Sequence, residues 1–240
     1  MPSDRNRVTE AAILGLCLLI GLGLLGYLVS HSLTQLKLME RSVEVKGLSE
    51  REVSADIAIW PITFNEPGND LVQLYQTVQE KNNLVVKFLE SNGFSADEIT
   101  ISAPAVIDKQ AREYGDSGAS SRFRYTATST ITVYSKKVDS VRQTMIKLVD
   151  LGKQGIAIAG EGYNTQFLYT GLNQIKPAMI EEATRNAREA ANKFAKDSES
   201  TLGKIKRANQ GQFSIENRDS STPHIKKVRV VSTVEYYLSD

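Results

Sequence analysis

From Ala11 to Val29 the chain reads AAILGLCLLIGLGLLGYLV, an apolar run without a single charge. As a helix rising about 1.5 Å per residue it would cover roughly 28 Å, close to the ~30 Å hydrocarbon thickness of a bilayer. The run therefore divides the chain. Residues 1–10 are read as a cytoplasmic N-terminus, 11–29 as a transmembrane anchor, 30–41 as a tether and 42–240 as one water-soluble domain. The rival reading is a secretory signal peptide, whose apolar region runs about 7–15 residues before a small-x-small cleavage site. Here the run is longer, and its exit, Tyr27-Leu28-Val29-Ser30-His31-Ser32, carries no A-x-A signal. The anchor is expected to stay attached.

Arg5 and Arg7 precede the run, whereas Lys37 and Arg41 follow it at greater distance. The nearer basic pair favours an N-terminus inside and a domain outside. The expected place is the inner (plasma) membrane, single-pass, with the C-terminal domain on the periplasmic or extracellular side. Gly21, Gly23 and Gly26 spell G-x-G-x-x-G, but a dinucleotide fingerprint needs a preceding strand and a following helix, and an apolar span supplies neither. Ala11 and Gly15 form a small-xxx-small pair of the kind that lets two spans approach.

With 29 Lys+Arg against 28 Asp+Glu, the net charge of +1 gives no sign of a nucleic-acid footprint. The one cysteine, Cys17, lies inside the apolar run, so the remainder can form no disulfide and has no thiol nucleophile or thiolate ligand.

Downstream, Val43, Val45 and Leu48 alternate with polar residues as a half-buried strand does, and residues 53–64 form a second strand. Pro61 cannot donate to a ladder, which predicts an edge or a bulge there. Asp70 with Gln73 predicts a helix start, and Asn92-Gly93 a stop. Residues 99–107 and 123–133 alternate again and predict a long hairpin around the polar stretch 108–121. A second helix is expected over about 137–151, strand with a bulge over 156–170, and a third helix from Pro177 to Leu202 with an alanine face, stopped at Gly203. Strands over 204–215 and 228–238 close the chain. The order predicts an α+β fold: a largely antiparallel sheet with helices packed on one face, preceded by one transmembrane helix.

Particular pieces resemble the SIMPL-domain family. They are Ser42-Val43-Glu44-Val45-Lys46-Gly47, then Ala55-Asp56-Ile57-Ala58-Ile59, then Leu89-Glu90-Ser91-Asn92-Gly93 with Asp97-Glu98-Ile99. The alanine-rich helix ending Leu202-Gly203 and the closing Val228-Arg229-Val230-Val231-Ser232-Thr233-Val234-Glu235-Tyr236 complete the likeness, over about residues 41 to 240. Ser49 stands where the family usually has a second glycine, and Trp60-Pro61 is unusual inside a strand. The resemblance implies an exported or membrane-tethered domain, often self-associating and linked in some members to oxidative-stress tolerance. It brings no agreed catalytic residues.

The residues themselves assign none to catalysis, cofactor binding or metal ligation, and no cofactor is expected. The two histidines, His31 and His224, lack carboxylate clusters at metal-ligand spacing and are read as solvent-facing. Ser117, Ser120 and Ser121 lie in a flexible stretch with no base in view. Asp56, flanked by Ala55 and Ile57, is read as an outward strand residue or a partner for Arg122 or Arg124 rather than an active-site acid. Glu161, between Gly160 and Gly162, is read as a bulge or turn residue. Lys204, Lys206 and Arg207 would approach Lys226, Lys227 and Arg229 if the last strands pair; a solvated face is favoured over a site for anionic lipid or an acidic partner patch. Tyr114, Phe123, Tyr125, Tyr163, Phe167 and Tyr169 are read as core, with a subunit interface as the alternative.

The expected function is that of a membrane-anchored, non-enzymatic, self-assembling envelope protein tied to oxidative or envelope stress tolerance, with the membrane and further copies of itself as partners. The alternative is a small-molecule-binding or sensing domain at the membrane surface, and an unrecognised enzyme ranks last.

Overall fold

The structure, a computed structural model, describes residues 4–38, 41–112, 122–159 and 164–239. Helix α1, Asp4–Leu38, contains the window Ile13–Ser30, long and apolar enough to cross a membrane, with none of that window buried. The rest of the chain follows the α+β expectation, with its strands divided between two antiparallel sheets. By internal contacts it forms two compact units, Met1–Ser49 with Pro177–Phe213 and Arg229–Asp240, and Glu50–Lys176 with Ser214–Val228.

Strands β1 (Ser42–Ser54) and β2 (Ile57–Gly68) are consecutive but enter different sheets. Only Ala55 and Asp56 separate them, yet they do not form a hairpin. Beyond β2 come helix α2 (Leu71–Ser91), the short strands β3 (Ile99–Ile101) and β4 (Ala105–Asp108), and the long strand β5 (Tyr125–Ser135). Asp70 caps α2, accepting from the Gln73 N–H at 2.8 Å, and Gly93 takes the left-handed conformation (φ 91°) that ends it.

The five-stranded sheet of this unit runs β3-β5-β2-β6, with β4 also on β5; β6 is only Gln166–Leu168. The expected hairpin is present, from Ile99↔Val133 to Asp108↔Tyr125, broken between β3 and β4 around Pro104. Pro61 lies in a strand with neighbours on both sides. It opposes Thr132 of β5, and on the other side β6 has ended at Ile59↔Gln166. The Thr63 carbonyl, two residues on, accepts from Ala159 on that same side, so the N–H that Pro61 lacks would have faced the gap past β6. Trp60, Ile62 and Phe64 point the other way and are fully buried with Val78, Val85 and Leu89 of α2.

The single helix expected over 137–151 is two: α3, Val138–Ile146, and α4, Val149–Lys153, with the chain turning at Lys147. The expected strand over 156–170 shrinks to β6 and one isolated bridge, Phe64↔Ile158; residues 160–163 lie outside the described residues.

In the other unit, β7 (Thr201–Gln210) and β9 (Ile225–Ser239) pair from Thr201↔Ser239 to Gln210↔Ser232, in the order β1-β9-β7; β8 (Ser214–Asn217), which belongs to the Glu50–Lys176 and Ser214–Val228 unit, also pairs with β9. Helix α5, Leu172–Asp197, begins ahead of Pro177 and ends before the expected Leu202. Its stop is not Gly203. Glu199 takes the left-handed turn (φ 54°), and the Ser200 N–H returns to the Ala195 carbonyl at 2.8 Å. Gly203 lies in β7, where a Cβ would come 3.0 Å from the Tyr237 carbonyl of β9. Ala187 and Ala191 of α5 pack on Val45, Val234 and Tyr236, whereas Phe194 of the same helix is 60% exposed.

Candidate functional site

A cleft of about 500 Å³ opens in the Glu50–Lys176 and Ser214–Val228 unit. Helix α3 buries Val138, Val141 and Thr144, which turns Asp139, Arg142, Gln143 and Ile146 away from the core and along the cleft. Phe167 of β6 forms a second wall, and Ser221, Pro223 and His224 of the loop after β8 a third.

That loop is built from its own polar groups. Asp219 accepts from the backbone N–H groups of Ser221 and Thr222 at 2.8 and 2.7 Å, and from Arg218 Nε at 3.0 Å. The Thr222 hydroxyl foremost, then the Arg218 guanidinium, holds the Asp219 carboxyl far below the usual carboxylate range. The His224 carbonyl accepts from Ala55 N–H at 2.8 Å, fixing the loop to the start of β2.

His224 is half-buried and meets Phe167 edge to face, centroids 6.1 Å apart at 69°. Burial foremost, and then the Arg142 charge, pushes its imidazole below the ordinary histidine value, so it is neutral at pH 7. Arg142 donates to Asp139 at 3.1 Å along the helix. Ile146 is 81% exposed at the rim. The cleft thus combines an apolar wall, a guanidinium and a neutral imidazole.

A smaller hollow of about 220 Å³ lies in the other unit, lined by Glu44, Arg207, Asn209, Thr233 and Glu235. The Ser42 hydroxyl (2.6 Å) and then Lys206 (3.0 Å) donate to Glu235 and hold its carboxyl below the ordinary value.

The sequence-derived candidates distribute unevenly over these places. His224, expected to face solvent, lines the cleft. His31 lies on α1. Asp56 has a structural partner other than the arginines expected: it accepts from the Thr170 N–H at 2.9 Å and from its hydroxyl at 2.8 Å. Arg124 instead pairs with Asp108 at 2.8 Å and stacks over Tyr125, and Arg122 lies over Phe123.

The two basic groups are not brought together by the pairing of β7 with β9. Arg207 opposes Glu235, and the register ends at Gln210↔Ser232, before β9 reaches back to Arg229. Lys227 pairs with Glu50 at 3.1 Å, and Lys226 bonds Asn217 while burial lowers its ammonium below the ordinary lysine value. Glu161, Tyr114, Tyr163 and Ser117, Ser120 and Ser121 lie outside the described residues. Phe167 is buried and Tyr169 half-buried.

Arg142 and Ile146 were not singled out by the sequence. The available signal was Ile146 itself, an apolar residue off the buried stripe of its helix, where a polar one would cost nothing.

No curated protein matches the chain. The family model described as SIMPL, protein of unknown function (DUF541), matches residues 43–236. That match takes in the Gly47 strand, the alanine-faced helix and the closing strand on which the resemblance rested, and the chain belongs to the SIMPL (DUF541) family.

Proposed function

We propose that the chain is a membrane-anchored SIMPL protein that works without enzymatic chemistry, holding its α+β domain on the periplasmic or extracellular side of the inner (plasma) membrane and assembling there with copies of itself. The observation that carries this reading is α1: none of the Ile13–Ser30 window is buried, so a surface of leucine and isoleucine is left for lipid to cover. Arg5 and Arg7 support the outward orientation.

Assembly is supported by the edge of the β1-β9-β7 sheet. Among the described residues β7 pairs with β9 alone, and it carries Ile205 at 42% exposure beside the charged Lys204, Lys206 and Arg207. Edge charges discourage indiscriminate pairing, which suits an edge reserved for a specific partner. A stress association would then act through position at the membrane, since the one cysteine lies within α1.

Size-exclusion chromatography with light scattering on the full chain in detergent tests assembly. The expected protein mass is a discrete multiple of 26.5 kDa, and a strict monomer at high concentration contradicts it. The cleft beside α3 supports the second reading, a small-molecule-binding domain.

A further inference from the structure

The cleft beside α3 has features that narrow its ligand, and the inference rests on the small-molecule reading just given. Its volume, about 500 Å³, falls in the range of pockets that hold small organic molecules. Ile146, with Met145, Phe167 and Pro223, offers an apolar surface that gains from being covered. The edge-to-face pair of Phe167 and His224 makes an angled wall against which a planar body can lie.

The polar groups point to a negative charge. Arg142 uses one of its five N–H donors, on Asp139, and no other partner engages its guanidinium among the described residues. Asp139 is 83% exposed, so water screens its carboxylate, while the guanidinium keeps a free edge of the geometry that matches a carboxylate. The His224 ring nitrogens likewise have no hydrogen-bond partner among the described residues, and a neutral imidazole offers one N–H donor.

We propose that this cleft binds a small organic anion with a flat apolar body, its carboxylate taken by Arg142 and His224 and its body laid over Met145, Ile146, Phe167 and Pro223. Ligand charge is read by the arginine and ligand shape by the apolar wall.

The test is titration calorimetry on the full chain in lipid nanodiscs, with empty nanodiscs subtracted, using three probes of one shape: indole-3-acetate, its neutral amide indole-3-acetamide, and the cation tryptamine. The acid should bind saturably at least tenfold tighter than the amide, with tryptamine weakest. Arg142→Gln should weaken the acid at least tenfold while weakening the amide far less, so that the preference for acid over amide is lost. Ile146→Asp should weaken acid and amide alike. Both positions are exposed enough to keep the fold, checked by circular dichroism and by an unchanged melting temperature. If the amide or the amine binds as tightly as the acid, the anion assignment is overturned while the cleft stands as a binding site. If no probe binds saturably, the anion assignment and the small-molecule reading both fall.

Discussion

A Cβ built on Gly47 of β1 would lie 1.8 Å from the carbonyl oxygen of Ala183 in α5. It would also lie 2.5 Å from the Ala187 backbone nitrogen. The strand and the helix therefore meet at a distance only a missing side chain permits. The glycine of the opening V-E-V-K-G strand and the alanine face of the helix are two halves of one contact, and the Asn186 side-chain amide donating to the Leu48 carbonyl at 2.8 Å pins it.

The atoms that would meet a Gly47 side chain are backbone, which cannot swing aside. Gly47→Ala should therefore cost about 3 kcal/mol or more, at the upper end of overpacking changes. Gly203→Ala, whose Cβ would meet a carbonyl at 3.0 Å, should cost about 1 kcal/mol. Urea unfolding followed by circular dichroism measures both, and equal losses would show that the strand–helix approach is looser than described.

Glu98 ties the end of α2's following turn to β5. Burial alone would push its carboxyl up, but donation from the Ser135 hydroxyl (2.6 Å), the Ser95 N–H (3.0 Å) and Lys137 (3.2 Å) outweighs burial and lowers it from 4.5 to about 2. A depressed carboxylate stabilises the fold fully above its unfolded value, and that contribution fades as pH falls from 4.5 toward 2. With its side chain 18% exposed, the contribution is about 2 kcal/mol. Glu98→Gln should remove it at pH 7 and flatten the stability profile between those limits, as read by unfolding at a series of pH values.

His224 acts in a higher window. Its folded value lies below the ordinary 6.5, so the folded chain binds fewer protons than the unfolded one there. Stability from this group is complete above 6.5 and declines as pH falls below it. Arg142→Gln removes the second cause of the shift. An imidazole titration followed by NMR should show His224 moving part of the way back toward 6.5, while burial, the larger cause, keeps it lower.

Periodicity made much of this fold legible. Val43, Val45, Ile57 and Ile131 alternate because one face of each strand is buried, and Asp70 with Gly93 marked both ends of α2 because the cap and the left-handed turn each need a particular residue. Sheet membership was not legible. Nothing local in Ala55-Asp56 says that β1 and β2 part company, since that is decided by β5 and β9, distant in sequence. Gly203 misled because a glycine after a helix fits a stop as well as it fits a close approach, and only the position of Tyr237 separates the two. The cleft escaped for the same reason: Arg142, Phe167 and His224 are polar, apolar and loop residues with no shared motif, joined only by the fold.

The central claim is that α1 keeps this domain attached to a membrane and outside the cytoplasm. Alkaline-carbonate fractionation of cells producing the full chain, followed by protease treatment of intact spheroplasts, tests it most directly. The account predicts a band at the uncleaved mass of 26.5 kDa that stays with the membrane pellet and is digested from outside. A carbonate-soluble protein, a shorter mature chain free of the membrane, or a pellet-bound chain that resists external protease would contradict it.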